Sequence, residues 1–84
     1  MSVKLFGLAA EQGHSMAQYK MGTASILGIG VSQDLVRAHM WFNLAADQGV
    51  ELAKKTRDMI ESQMTPQQIV QAQELARNWK PKKK

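Results

Sequence analysis

Residue types that carry catalysis are sparse in this chain. Its two histidines, His14 and His39, lie 39 − 14 = 25 positions apart and are not paired at helical spacing. We therefore expect ordinary surface or boundary residues rather than metal ligands or general bases. The carboxylates are scattered singly, and no serine lies in the G-x-S-x-G turn of a nucleophilic hydrolase. The prediction is a protein that is not an enzyme and holds no metal and no cofactor.

One short motif, Gly28-Ile29-Gly30, invites comparison with a phosphate-binding loop. It lacks the third glycine, a preceding strand and the Lys-Ser/Thr pair of such loops. A turn between two helices explains these glycines better, because glycine adopts positive φ angles without steric cost.

Composition indicates one small domain. The chain has 84 residues and a mass of 9.4 kDa, is 44% hydrophobic and contains no cysteine. Disulfides and thiolate metal sites are therefore excluded.

No apolar run approaches the roughly 18 residues of a membrane span, and the first residues lack a signal-peptide cleavage site. A cytoplasmic location is the default expectation, with export open if the chain is a fragment of a longer precursor.

The positive charge is confined to the C-terminus. Eleven Lys and Arg against seven Asp and Glu give +4, and four of the lysines are Lys80, Lys82, Lys83 and Lys84. Residues 1–79 therefore balance at 7 − 7 = 0. We interpret 80–84 as a basic disordered tail. The alternative is weak, salt-sensitive contact with nucleic acid or an anionic membrane through these four lysines.

An internal repeat sets the architecture. AAEQGHSMA begins at Ala9 and AADQGVELA begins at Ala45, an offset of 45 − 9 = 36. Seven residues are identical between positions 5–17 and 41–53. The identical residues of the first copy are Phe6, Leu8, Ala9, Ala10, Gln12, Gly13 and Ala17. A repeat of this length predicts stacked helical units.

Apolar residues recur at three- and four-residue steps, which predicts five helices and no strand. The expected ranges are 2–12, 15–27, 34–48, 50–63 and 65–79. Asp34 is expected as an N-cap and Gly49 as a left-handed C-terminal residue. Thr65 and Gln68 form a capping box around Pro66. On the helix 15–27, the predicted inner side carries Ala17, Met21, Ala24 and either Leu27 or Gly28. The methionines Met21 and Met40 are expected to fill the core rather than to form an adaptable surface.

The complete unit contains a series of spaced residues. It reads Ala17-x3-Met21-Gly22-x5-Gly28-x-Gly30-Val31-x2-Asp34-x3-Ala38-x2-Trp41-x3-Ala45-Ala46-x2-Gly49. With this series the unit resembles the Sel-1-like repeat family, a branch of the tetratricopeptide-type α-solenoids. The resemblance implies a short right-handed α-solenoid of antiparallel helix pairs. We expect residues 1–79 to form the repeat domain, with a half repeat at 2–13, a complete repeat at 15–49 and a degenerate C-terminal capping repeat at 50–79.

The resemblance also implies a function. Such solenoids act as adaptors or scaffolds that bind a protein or peptide on a concave surface lined by the first helix of each pair. On that helix Tyr19, Thr23 and Ile26 form a candidate partner-binding face. The alternative for Tyr19 and Ile26 is packing against a neighbouring helix.

The first helix lacks the helix that normally precedes it. Its Leu5, Phe6 and Leu8 side is therefore expected to contact a second copy, or another unit if the chain is a fragment.

Overall fold

The computed structural model describes residues 3–81, with side chains described for Leu5 and for 7–81. Within that part the chain forms five α-helices and no strand, which confirms the all-α prediction. They are α1 (Val3–Glu11), α2 (Ser15–Leu27), α3 (Leu35–Asp47), α4 (Glu51–Glu61) and α5 (Pro66–Asn78). The predicted boundaries lie within two residues of these.

Local sequence signals set the helix ends. The side chain of Asp34 accepts a hydrogen bond from the Arg37 backbone N–H at 3.1 Å, capping α3. At the other end of α3, Gly49 has φ +97° and Val50 N–H donates to Ala45 O at 3.2 Å. Thr65 and Gln68 complete the reciprocal capping box at the start of α5, with Pro66 at its first position. The predicted helix termini are thus confirmed.

Helix α3 lies at the centre of the molecule and packs against α2, α4 and α5, while α1 packs against α2. The sequence predicts a single apolar stripe on α3, but burial extends around most of the helix. Its buried residues are Ala38, His39, Met40, Trp41, Phe42, Leu44 and Ala45. The wider burial follows from three neighbouring helices instead of one.

Two clusters of buried side chains surround α3. The first cluster centres on Phe42, which is 0% exposed, and draws on α3, α4, the following turn and α5. Its members are Ala38, Phe42, Ala45, Ala53, Ile60, Met64 and Ala72. The second cluster joins α1, α2, α3 and α5 through Ala10, Ala17, Met40, Trp41, Leu44 and Ala76. Eight of the 14 buried hydrophobic residues in the described part of the chain are alanines, which permits close helix approach.

After α5 the chain returns to the connection between α1 and α2. The ring of Trp79 meets that of Trp41 edge-on, with centroids 6.1 Å apart. A Cβ atom placed on Gly13, between α1 and α2, would lie 3.7 Å from Pro81 Cγ. Helix α5 therefore covers the Trp41 side of α3, a placement that suits the capping role predicted for 50–79.

Candidate partner-binding face

Among the side chains described, no three His, Cys, Asp or Glu residues are grouped so as to hold a metal ion. None of the five helices is both long and apolar enough to cross a membrane.

The structure buries His39, which the sequence analysis expected at the surface or at a boundary. Its side chain is 1% exposed, and Nε2 lies 2.7 Å from Oε2 of Glu61 at the end of α4. His39 Nδ1 has no hydrogen-bond partner. The surface expectation was therefore wrong for His39, whereas His14 is exposed as expected. The His39–Glu61 contact joins α3 to α4.

The three residues predicted to bind a partner share one side of α2, and all are half-buried. The Tyr19 ring lies 5.4 Å from the ring of Phe42, and Ile26 packs against the same first cluster. Thr23 Oγ1 donates to the backbone oxygen of Tyr19 at 3.2 Å. Tyr19 and Ile26 therefore also serve the core, as the packing alternative expected.

Truncation of Tyr19 is therefore expected to lower stability. Tyr19→Ala should reduce the free energy of unfolding by about 2 kcal/mol, because a half-buried ring loses its packing on Phe42. Urea denaturation followed by circular dichroism measures this change. Tyr19→Phe keeps the ring and serves as the control. An unchanged midpoint for Tyr19→Ala would contradict the packing described above.

The most exposed stripe of α2 lies beside these residues. Met16 is 56% exposed, Leu27 is 61% exposed and Lys20 is also exposed. Together with Thr23 they follow steps of four, three and four residues, which places them on one helix face. The expectation of either Leu27 or Gly28 on the inner side was wrong, because both are exposed.

Buried polar residues explain this rotation of α2. Gln18 is 0% exposed and donates through Nε2 to the backbone oxygen of Ala10 at 3.3 Å. Its Oε1 accepts a hydrogen bond from Gln48 Nε2 at 2.8 Å. Ser25 is 3% exposed. Because Gln18 and Ser25 point inward, the opposite side of α2, including Leu27, faces out.

Exposed apolar residues also occur on α4. Leu52 lies 36 positions after Met16, and both are 56% exposed. Met59 lies 36 positions after Thr23 and is 69% exposed, whereas Thr23 is half-buried. Helices α2 and α4 thus share one equivalent position with a large exposed apolar side chain. We call Met16, Lys20, Thr23, Leu27, Leu52 and Met59 the α2–α4 face.

Comparison with known protein families decides what kind of repeat this is. A family model described as Sel1 repeat matches residues 1–14 and 15–50. The chain belongs to the Sel1 repeat family. The first match covers α1, and the second covers α2, α3 and the turn that follows them. Comparison with curated proteins gives no match to the chain.

Membership in the family gives the general role of the fold. Sel1 repeats are protein-interaction modules, and the family is non-catalytic. Of the two helices that carry the α2–α4 face, α2 lies within the matched residues 15–50, and α4 begins directly after them.

Proposed function

We propose that this protein is an adaptor or scaffold module that binds another protein or a peptide on the concave surface of its solenoid. The observation that carries the proposal is the matched exposure of Met16 on α2 and Leu52 on α4, which lie 36 positions apart, together with the exposed Leu27 and Met59. Apolar side chains repeated at the spacing of the units suit a binding partner that extends across both units.

Of the three residues predicted to bind a partner, one belongs to the α2–α4 face and the other two also pack on the core. Thr23 belongs to the α2–α4 face, and its neighbours Tyr19 and Ile26 offer the smaller part of their surface that the core leaves uncovered. Met16 and Leu27 extend the face along α2 in both directions, and they are free of the structural role that complicates any test on Tyr19.

Leu27→Glu should weaken partner capture without unfolding the protein. A buried contact of one leucine is worth about 1.5–3 kcal/mol, so we expect a loss of about 10- to 100-fold in partner affinity. The tagged full chain would be used for nuclease-treated affinity capture from lysate of its own cells, with quantitative mass spectrometry of the recovered proteins. Val70→Glu on α5 is the matched control, because Val70 is 51% exposed but lies off the α2–α4 face.

The same capture experiment tests the basic tail. Of its residues Lys80 is exposed, and Lys82, Lys83 and Lys84 lie outside the described part of the chain. Replacing all four lysines with serine keeps Pro81 and its place beside Gly13. Capture lost on this replacement but unaffected by Leu27→Glu would refute the α2–α4 face. It would support binding through the tail, and parallel capture without nuclease would distinguish contact with nucleic acid from contact with an anionic membrane.

Self-association through α1 is a second proposal, based on a different observation. Leu5 and Leu8 are 58% and 52% exposed, whereas Trp41 and Leu44, 36 positions later, are 8% and 9% exposed. At these equivalent positions the apolar side chains of α3 are covered by α5, whereas those of α1 are exposed. Phe6, predicted to share this side, has no described side chain.

A second copy is the occupant that we propose for the α1 side. The mass from light scattering should rise towards that of a dimer with concentration, and Leu8→Glu should return it to the monomer. A monomeric mass at every concentration would refute this proposal.

A further inference from the structure

The methionines divide sharply by exposure. Met40 and Met64 are 2% and 8% exposed and belong to the two clusters around α3, and Met21 is half-buried against the second cluster. Met16 and Met59 are 56% and 69% exposed. Both exposed residues belong to the α2–α4 face, so among the five methionines of the described part of the chain the most exposed side chains are on the proposed binding surface.

We propose that Met16 and Met59 form an oxidative modification site through which hydrogen peroxide weakens partner binding. The proposal rests on the proposed function of the α2–α4 face. The thioether sulfur attacks one peroxide oxygen, an S–O bond forms and the O–O bond breaks. The displaced hydroxide takes the proton from the new S–OH group, which leaves the sulfoxide and one water molecule. Sulfur is oxidised by two electrons, and the peroxide is reduced to water.

Two features of the chain favour reaction at these positions. The attacking sulfur must be open to the oxidant, which the packing around Met40 and Met64 prevents. The chain has no cysteine, so no thiolate within it competes for the peroxide.

The product changes the chemistry of the face. A sulfoxide places a strong hydrogen-bond acceptor where the thioether was apolar, and burying it without a donor opposes binding. A loss of about tenfold in partner affinity is expected for each oxidised residue that the partner covers. Because both side chains project into solvent, the helices themselves should be unaffected.

The order in which the methionines are oxidised is tested on the full chain without a partner. The protein would be treated with limiting hydrogen peroxide, quenched and digested, and sulfoxide at each methionine would be quantified over time by mass spectrometry. Met16 and Met59 should react about ten times faster than Met40 and Met64, with the melting temperature unchanged. Equal rates at all four positions, or early unfolding, would overturn the proposal.

The binding effect is tested with the protein identified by capture on the untreated chain. Peroxide should weaken capture by wild type but not by the Met16→Leu/Met59→Leu variant, and methionine sulfoxide reductase should restore it. The control variant Met21→Leu should remain as sensitive as wild type. Equal losses for wild type and the double variant would refute the role of these two residues. Failure of the untreated chain to capture any protein would refute the proposed function itself and, with it, the binding effect. The order of oxidation does not depend on a partner.

Discussion

Replacing Phe42 with alanine is expected to remove most of the stability of the fold. Phe42 is 0% exposed at the centre of the first cluster, and its ring also contacts Tyr19. Truncating a buried phenylalanine costs about 3–5 kcal/mol. A chain of this size has a free energy of unfolding of about 4–13 kcal/mol, at 0.05–0.15 kcal/mol per residue. The variant should therefore be largely unfolded well below the melting temperature of wild type.

Urea denaturation monitored by helical circular dichroism measures the loss. Phe42→Leu retains most of the apolar volume and should cost about 1 kcal/mol. Val70→Ala, on the exposed side of α5, should change the free energy of unfolding by less than about 0.5 kcal/mol. A loss below 1 kcal/mol for Phe42→Ala would show that the first cluster is not the centre of stability.

The second large effect is expected at Gly22, where the backbone of α2 lies against the Phe42 ring of α3. A Cβ atom at this position would lie 2.8 Å from two carbons of the Phe42 ring, far inside van der Waals contact. Gly22→Val should therefore cost about 3 kcal/mol, the upper part of the usual range for overpacking, even though valine forms helix better than glycine. The backbone or the Phe42 ring must shift to admit the side chain.

Gly7 in α1 supplies the matched control. A Cβ atom there would meet Met21 Sδ at 3.5 Å, which is ordinary contact with a flexible side chain. Gly7→Val should change the free energy of unfolding by less than about 1 kcal/mol. Combining Gly22→Val with Phe42→Leu should give a smaller loss than the sum of the single losses, because the two residues share one space. Strict additivity would argue against the close approach.

The sequence predicts the helices well because their signals are local. Asp34 acts on Arg37 three residues away, and Thr65 acts on Gln68 three residues away. The 36-residue repeat further predicts how the helices are grouped into units along the chain. Each of these signals can be interpreted without knowing how the helices pack.

Buried polar contacts could not be predicted in the same way. Gln18 bonds to Gln48, 30 residues away, and His39 to Glu61, 22 residues away. Nothing in the local pattern identifies such partners, so polar residues are expected outside. The prediction of the partner-binding residues was affected for the same reason, because their exposure depends on a buried polar contact that the local pattern does not identify. Periodicity grouped Thr23 with Tyr19 and Ile26, but inward-pointing Gln18 rotates α2 so that Met16 and Leu27 are more exposed.

After α5 the chain returns to the connection between α1 and α2. This return has a consequence for how the molecule unfolds. In an open repeat array each unit contacts only its neighbours, so terminal units fray first and unfolding proceeds in steps. Here Trp79 rests on Trp41 and Pro81 lies beside Gly13, which ties the last helix to the first turn across α3. Loss of either end uncovers the central helix. The five helices should therefore behave as one cooperative unit, with the slowest amide hydrogen exchange in α3.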